Sequence, residues 1–421
     1  NPPIDPIREE LVMSLLTYIG NKGNILAETP LHARLVKLQR PVLTDDELSR
    51  LRHIGANDFR SKTLPMEFPA GGDGRQLDKA LKRLATDAIA AVRENCRILI
   101  LSDRNPSPGT TPIPSLLATA AVNRALSAAG LRPETGVVVE SGEVREIMHF
   151  ALLIGYGATA VNPYLALETV TGLARSGAVS VDPVTAATNY INAVDKGLLK
   201  VMSKMGISTL RSYRSGQVFE AVGLSRELID EYLPGTASRI GGIGLAEIAE
   251  EANTRRAAAQ QESPLLPDGG SYRFRKDGEQ HLWTPASLAA FRQAVQTGDY
   301  AKFKEYSKLI DDQAGHLCTL RGLFGFVETR SIPIEEVESV DSIVKRFVSG
   351  AMSLGSLSPE AHETIAIAMN RLGGMSNCGE GGEDSSRYVP TPEGDSKMSA
   401  IKQIASGRFG VTIDYLRHAK D

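Results

Sequence analysis

Short apolar runs separated by helical patterns limit the folds open to this chain. Apolar residues recur at helical spacing over residues 77–92, and residues 97–101 follow as a run typical of a buried strand. After a loop over 105–114, the alanine-rich residues 115–129 predict a second helix, and residues 136–140 predict a second buried strand. Helices between buried strands are typical of a parallel sheet covered on both faces. We therefore predict an α/β fold.

The length and a change in composition predict two domains. A chain of 421 residues exceeds the roughly 100–200 residues of a usual single domain. Residues 252–270 are first Ala/Gln-rich and then Pro/Asp/Gly-rich without an apolar period, so we place the junction there. Beyond it, residues 288–310 predict two short helices, and residues 343–358 predict a second α/β start. The expected domains are residues 1–270 and 271–421.

The composition indicates an ordinary globular protein of the cytoplasm. Hydrophobic residues make up 42% and charged residues 23%, and the net charge of -3 gives no electrostatic reason to expect nucleic acid or a membrane as partner. The longest apolar stretches, such as residues 150–154, are far shorter than the roughly 20 residues that cross a bilayer. Because the chain opens at Asn1 without methionine, we expect it to come from inside a longer protein. The cysteines are widely spaced and odd in number, which favours a reducing compartment: Cys96, Cys318 and Cys378.

A glycine- and serine-rich segment, residues 350–358, leads into a predicted helix over 359–372. Ser358 suits the N-cap, Pro359 the first helical position, and Gly373 the position just after the last turn. The spacing predicts a buried helix face made of Ala361, Ile365, Ala368 and Leu372. If the glycine-rich segment ends a barrel strand, the residues at the barrel mouth are Ala351, Met352 and Ser353.

The acidic loop, residues 379–384, places three glycines among three carboxylates. Glycine lets the backbone approach a ligand, and the carboxylates favour a cationic or protonating partner such as ammonium over a phosphate. A simpler alternative is a solvated surface turn in which Glu383 or Asp384 pairs with Arg387.

A dinucleotide fingerprint competes for residues 155–160, which fit the G-x-G-x-x-A pattern with Asp182 at a suitable distance. This alternative is an NAD-dependent dehydrogenase built on Gly155, Gly157 and Asp182. Pro163 opposes it, because it falls where the phosphate-binding helix should already be under way. A helix that ends at Gly155, followed by a strand over 158–161, explains the same residues.

Metal and nucleophile motifs are not found in the sequence. The histidines form no HExxH motif or metal-ligand pair with cysteine, and His362 is expected to face solvent. No G-x-S-x-G elbow is present, and no cysteine sits in a nucleophile context. Residues 200–208 are expected to pack with their lysines extended towards solvent.

Taken in order, these segments resemble the glutamate synthase large subunit over nearly the whole chain. The order of the segments, more than any one of them, makes the resemblance specific. The segments are residues 1–10, 12–14, 98–104, 154–158, 162–164, 200–208, 219–224, 350–358, 379–384 and 399–411.

The resemblance implies a central parallel α/β domain over residues 1–270, followed over residues 271–421 by the beginning of a (β/α)8 FMN-type barrel. The family's enzyme makes L-glutamate by reductive amination of 2-oxoglutarate on FMN, with ammonia that a glutaminase domain releases from glutamine. Electrons pass through a 3Fe-4S cluster from a small NADPH-oxidising flavoprotein subunit, which carries FAD, or from ferredoxin. The implied parent is an oligomeric oxidoreductase and amidotransferase of glutamate biosynthesis and ammonia assimilation.

Roles for individual residues also follow from the resemblance. Ser376 is expected near 2-oxoglutarate, and Met13 is expected to approach the flavin from the central domain. Glu380 is expected where the ammonia tunnel meets the barrel, reporting the barrel's state to the glutaminase. The flavin is expected to rest against Ala351, Met352 and Ser353.

The chain departs from the family pattern at several positions. The family commonly has Phe, Lys and Thr where this chain has Leu354, Met375 and Cys378, and histidines near Asn123-Arg124 and at Met148. The glutaminase, most barrel strands and the cluster cysteines are expected outside this segment, so we expect the segment alone to be inactive. Residues 207–214 favour the NADPH type. The main alternative is a scaffold in which Glu380 has no chemical role.

Overall fold

The computed structural model describes residues 2–24, 26–55, 59–261, 269–312, 317–404 and 410–421. The chain divides into two compact units, Asn1–Leu266 and Pro267–Asp421, called here the first and second unit. Across the described ranges, no helix is both long and apolar enough to span a bilayer.

The first unit contains nine helices and ten strands among its described residues. Its strands are β1 (Thr17–Ile19), β2 (Val36–Leu38), β3 (Arg60–Pro65), β4 (Glu67–Pro69), β5 (Cys96–Ser102), β6 (Thr110–Pro112), β7 (Gly136–Glu140), β8 (Ala160–Asn162), β9 (Glu220–Leu224) and β10 (Ala237–Ile243). Its helices are α1 (Asp45–Arg52), α2 (Gly74–Arg93), α3 (Ser115–Ala128), α4 (Ile147–Gly155), α5 (Tyr164–Arg175), α6 (Pro183–Lys204), α7 (Leu210–Tyr213), α8 (Arg226–Tyr232) and α9 (Leu245–Ala259).

A four-stranded parallel sheet in the order β3-β5-β7-β8 forms the centre of the first unit. Residue Val42 extends it by a parallel bridge to Val161 on β8. The strands β5 and β7 are apolar runs whose side chains are buried on both faces, as expected for a parallel sheet covered by helices. The predicted α/β class is therefore confirmed, and the helices and strands predicted between residues 77 and 140 are present.

Alternate residues of the sheet enter two separate cores. On one face, Leu99 and Val137 pack with apolar residues of α2, α3, α4 and α6. On the other face, Ile98 and Val138 pack with Ile19 of β1 and with leucines of α1. Because neighbouring strand residues point to opposite faces, a one-residue slip of β5 would exchange its two cores.

Two stretches of the first unit for which we predicted no helix or strand contain regular structure. Helix α9 continues to Ala259, inside the polar stretch 252–270 in which we placed the domain junction. The helix has no apolar stripe to reveal it, because only the small side chains of Ala249 and Ala252 are buried. The loop predicted over 105–114 contains β6, which pairs antiparallel with β4. Residues 262–268 of the same stretch lie outside the described residues.

The first two helices of the second unit form a helical hairpin. Helices α10 (Pro285–Thr297) and α11 (Tyr300–Asp311) flank Gly298, whose φ of 64° is the left-handed conformation that glycine adopts readily. Asp299 then caps α11 by accepting a hydrogen bond from the Ala301 N–H. The two short helices predicted for this region are confirmed. Further along the unit are α12 (Val340–Val344), α13 (Pro359–Leu372) and α14 (Ile413–Arg417).

Three extended segments of the second unit run parallel to one another. Val348 bridges Met375, and Asn377 bridges Ile401, both in parallel. The backbone bonds Ser349 N–H to Met375 O, 3.0 Å, and Ile401 N–H to Ser376 O, 2.9 Å, support this arrangement. Helix α13 connects the first segment to the second, which is the order of a βαβ unit.

Helix α13 has the predicted bounds, with Ser358 as its N-cap and Gly373 in the left-handed conformation after its last turn. The predicted buried face was wrong. His362 and Ala366 are its buried residues, whereas Leu372 is 57% exposed. The many alanines of α13 leave the apolar pattern ambiguous, and contacts made by His362 determine which side of the helix faces inward.

Candidate functional site

The carboxyl ends of the three parallel segments bring two predicted site residues together. Gly379, with a φ of 65°, packs so closely on the preceding segment that an added Cβ would lie 2.7 Å from the Ser353 backbone nitrogen. Immediately after it, the Glu380 N–H donates a hydrogen bond of 3.2 Å to the Ser353 Oγ. The acidic loop therefore needs glycine at 379 to approach the segment that holds Ser353.

The other predicted site residues lie along the same edge. Ser376 is 1% exposed, and its Oγ has no hydrogen-bond partner within the part of the chain that the structure describes. Ala351 is exposed, and Met352 is half-buried. A buried hydroxyl without a partner costs free energy, so a ligand that bonded Ser376 would relieve that cost.

The three carboxylates of the acidic loop have different environments. Glu380 is exposed, and its carboxylate makes no hydrogen bond or ion pair with the residues described. Asp384 caps a short 3-10 helix, Ser385–Tyr388, by accepting a 2.9 Å bond from the Ser386 N–H. Glu383 is buried, so the simpler alternative of a solvated turn does not describe the whole loop.

A buried ion cluster, made of Glu383, Arg387 and Lys402, lies behind the acidic loop. The Glu383 carboxylate accepts a 2.5 Å bond from the Lys402 Nζ and a 2.9 Å bond from the Ser399 N–H. Its Oε1 also lies 3.3 Å from the Arg387 Nη2. Of the two carboxylates considered as partners for Arg387, Glu383 is the one that pairs.

The expectation that His362 faces solvent was wrong. His362 is 3% exposed, its Nδ1 lies 2.5 Å from the Arg387 Nη1, and its Nε2 lies 2.8 Å from the Met352 carbonyl oxygen. Because Arg387 can only donate, Nδ1 accepts and Nε2 carries the proton that bonds to Met352. A chain of bonds thus connects the buried ion cluster to the backbone of Met352.

Aromatic rings enclose the lysine of the buried ion cluster. The Lys402 Nζ lies 5.4 Å from the ring centres of both Tyr388 and Tyr415. The Tyr415 hydroxyl donates a 3.0 Å bond to the Gln403 carbonyl and lies 3.0 Å from the Cys378 sulfur. Burial, with the neighbouring Glu383 charge, raises the pKa of Tyr388 to about 12.

Sequence reasoning did not single out His362, Arg387 and Lys402 as members of one cluster. The spacing of Glu383 and Arg387 did suggest an ion pair, but nothing local connects Glu383 with Lys402, 19 residues away. The available sequence signal for Lys402 was its position among residues 399–411, one of the segments that resemble the family.

The dinucleotide alternative does not agree with the structure. Gly155 ends α4 and is followed by β8, whereas a fingerprint runs from a strand into a helix. Gly157, with a φ of 121°, lies directly against the Asn123 side chain, so any larger residue at this position would clash with Asn123. Asp182 accepts bonds from the Val184 and Thr185 N–H groups as the N-cap of α6.

The described cysteines belong to no group of metal-ligand side chains. Cys96 lies on β5 in the first unit, and Cys378 contacts Tyr415 in the second. Across the described ranges, no group of three His, Cys, Asp or Glu side chains could hold a metal ion. Met13 packs against the first unit's core, and in the run 200–208 Met202 is buried while both lysines are exposed.

Some of the residues that depart from the family pattern form contacts in the structure, and others do not. Asn123 accepts a 2.7 Å bond from the Arg132 Nε, and Arg124 forms a 2.8 Å ion pair with Glu231. Met148 is 57% exposed. Nothing in the structure explains the residue types at Leu354 and Met375.

Comparisons with known proteins connect this geometry to one family. The model for the glutamate synthase central domain matches residues 1–225, and the model for the conserved region in glutamate synthase matches residues 282–421. The glutamate synthase [NADPH] large chain of Bacillus subtilis is 47% identical over 424 residues and that of Azospirillum brasilense 44% over 427. Each alignment covers 100% of this chain but only 27% or 28% of the relative.

Similarity to solved structures is much weaker. A double variant of flavocytochrome b2 with bound sulfite is 14% identical, with 57% of this chain and 49% of its own covered and a TM-score of 0.28. The two family models together match most of this chain, the first of them more than half, and the chain belongs to the glutamate synthase family.

Proposed function

We propose that this chain is part of a glutamate synthase, an oxidoreductase that makes L-glutamate from 2-oxoglutarate and glutamine-derived ammonia by reductive amination on FMN. Residues 1–270 form its central domain, and residues 271–421 form the N-terminal part of the barrel that binds FMN and 2-oxoglutarate. The names of the relatives at 47% and 44% identity support this activity for the whole protein.

The observation that carries the proposal is the meeting of the acidic loop with Ser353 at the carboxyl edge of the parallel segments. In β/α barrels, substrates and cofactors bind at this edge, where the loops that follow the strands converge. The predicted site residues all follow or belong to two of these segments, so one ligand could touch several of them.

The residues at this edge fit one side of a flavin site. Ala351, Met352 and Ser353 would lie against FMN, and the unpartnered Ser376 hydroxyl would bond 2-oxoglutarate. When bound, FMN supplies the hydride of the reductive amination. The protein's own contribution is rigidity, because His362 fixes the Met352 carbonyl and the close packing of Gly379 fixes Ser353.

Glu380 is the catalytic residue in this proposal, at the wall where an ammonia tunnel reaches the site. Its carboxylate is exposed, whereas Glu383 is neutralised by Lys402 and Arg387. Glu380 can therefore hold an ammonium ion or accept its proton. The Glu380 N–H donates to the Ser353 hydroxyl, so a movement of Glu380 in the tunnel wall would also shift the segment beside the flavin.

The other domains, subunits and cofactors of the proposed enzyme belong outside these 421 residues. The cysteines do not fit a 3Fe-4S cluster, which needs closely spaced thiolates, so the cluster belongs elsewhere in the parent protein. An N-terminal glutaminase domain, the rest of the barrel and a small flavoprotein subunit with FAD and NADPH complete the enzyme. The names of the two relatives at 47% and 44% identity support NADPH, rather than ferredoxin, as electron donor. We place this oligomeric enzyme in the cytoplasm.

Replacing Glu380 in the full-length protein tests this role. We expect Glu380→Ala to abolish the stimulation of glutamine hydrolysis by 2-oxoglutarate and reductant, and Glu380→Asp to retain part of it, because the shorter carboxylate keeps the charge. Glu393→Ala removes an exposed carboxylate of the same unit and serves as the control. Normal coupling in Glu380→Ala would favour the scaffold alternative.

A flavin spectrum of the purified 421-residue chain tests the division of the barrel. We expect little bound FMN and no glutamate synthesis, because part of a barrel cannot close around a cofactor. Stoichiometric FMN in this chain would contradict that expectation.

A further inference from the structure

A basic cavity lies wholly within the first unit, between β1, the loop that follows it and residues 209–214. Its volume is about 380 Å³, which is within the range of small-molecule sites, about 300–1,000 Å³. Lys22, His32, Arg211 and Arg214 line it, and no described lining residue is acidic. This composition is opposite to that of the acidic loop.

The deeper cations are held in place by neutral partners. Arg214 donates to the Thr17 Oγ1 at 2.9 Å and to the Ala158 carbonyl at 3.2 Å. Arg132, behind the cavity, donates to the Thr135 and Gly157 carbonyls and to the Asn123 side chain at 2.7–2.8 Å. These bonds fix the guanidinium groups without neutralising their charge.

The cations nearer the opening have no anionic partner in the described part of the chain. Neither Lys22 nor Arg211 forms an ion pair there, whereas Arg97 pairs with Glu134 at 2.7 Å and Arg124 with Glu231 at 2.8 Å. Arginines elsewhere on the first unit thus have carboxylate partners, whereas no described residue supplies one to Lys22 or Arg211.

The clustered charges repel one another. Burial, and then the charges of Arg211, Arg214 and Arg132, lower the pKa of Lys22 to about 8. Burial and the Arg211 charge lower the pKa of Arg214 to about 10. An anion inside the cavity would offset this repulsion by attracting each cation, and its binding would stabilise the fold.

We propose that the basic cavity binds a small anion that carries carboxylate or phosphate groups. The planar guanidinium of Arg211 can bond two oxygens of either group at once, and the Lys22 ammonium adds a mobile point charge. His32 and the Thr209 hydroxyl supply further polar contacts at the wall. The basic cavity belongs to the first unit, and the residues of the proposed flavin edge belong to the second.

Calorimetric titration of the 421-residue chain with inorganic phosphate and with succinate, in low-salt buffer at pH 7, tests the proposal. We expect saturable binding of at least one anion, and the tighter of the two identifies the group that the site prefers. Lys22→Met and Arg211→Gln should each weaken binding about tenfold or more, since each removes a charge that faces the anion.

Arg93→Gln is the matched control, because it removes a charge from the exposed end of α2 and should leave the affinity unchanged. The anion should also raise the thermal midpoint of the wild-type chain more than that of Lys22→Met. Two results would overturn the proposal: no saturable binding of either anion, or equal weakening by Arg93→Gln and Arg211→Gln.

Discussion

Removing the carboxylate of the buried ion cluster should destabilise the second unit strongly. In Glu383→Gln the amide oxygen can take the place of Oε1 and still accept the Ser399 N–H bond, but the NH2 group then replaces Oε2 and faces Lys402, which only donates. Two cations whose side chains are 0–3% exposed are left without a counter-charge. Breaking a buried pair in this way costs about 3–5 kcal/mol, and we expect about 3 kcal/mol because one hydrogen bond survives.

Urea unfolding at pH 7, followed by far-UV circular dichroism, measures this cost. Glu363→Gln is the matched control, because its carboxylate lies 3.4 Å from the Lys397 Nζ in the same unit but both side chains are about a quarter exposed. We expect the control to lose less than about 1 kcal/mol, as partly exposed pairs do. Hydrogen exchange should show the loss of protection in residues 376–402.

A second substitution separates the charge effect from a change of shape. If the cost arises from the unpaired lysine, adding Lys402→Met to Glu383→Gln should cost less than the sum of the two single changes by about 1 kcal/mol or more. The reasoning is refuted if Glu383→Gln and Glu363→Gln lose similar stability, or if the double variant is additive.

Two further predictions concern the packing of the acidic loop and the basic cavity. Gly379→Ala should lower the free energy of unfolding in urea by about 2 kcal/mol more than Gly394→Ala does. Both positions have positive φ, but only Gly379 lies against Ser353. Equal losses would show that the loop packs less closely on Ser353. Lys22→Met should raise the free energy of unfolding at pH 7 by about 1–2 kcal/mol in anion-free buffer, after allowance for the half-exposed site. The folded state releases the Lys22 proton more readily than the unfolded state, so the free energy of unfolding of the wild type should rise from about pH 8 towards 10.5. A similar rise in Lys22→Met would show that Lys22 is not its source.

The sequence predicted elements whose signals are local. Helix α13 has an N-cap at Ser358 and a glycine after its last turn, and both ends are where those residues indicate. The buried strands β5 and β7 were recognisable because a parallel sheet buries both of their faces. Helix α9 was not predicted, because alanines that pack on a neighbouring helix leave no apolar period.

The candidate site was predictable only in outline. The acidic loop was conspicuous by composition, but its division into an exposed Glu380 and a buried Glu383 depends on Lys402, which approaches through tertiary folding. The orientation of His362 is determined by Arg387 and the Met352 carbonyl, which lie 25 and 10 residues away in the sequence. Such long-range polar contacts have no periodic signal, so the sequence could not place these side chains.

The hydrogen bonds of Asn253 have a consequence for folding kinetics. From α9, its side chain accepts from the Gly71 N–H and the Thr111 hydroxyl and donates to the Gly72 carbonyl, across 142–182 residues of chain. Contacts of such high sequence separation form late, since the loop that they close is entropically costly. During synthesis, the first unit should therefore remain incomplete until α9 has emerged, with the edge formed by β4 and β6 uncovered and open to misassembly in the meantime.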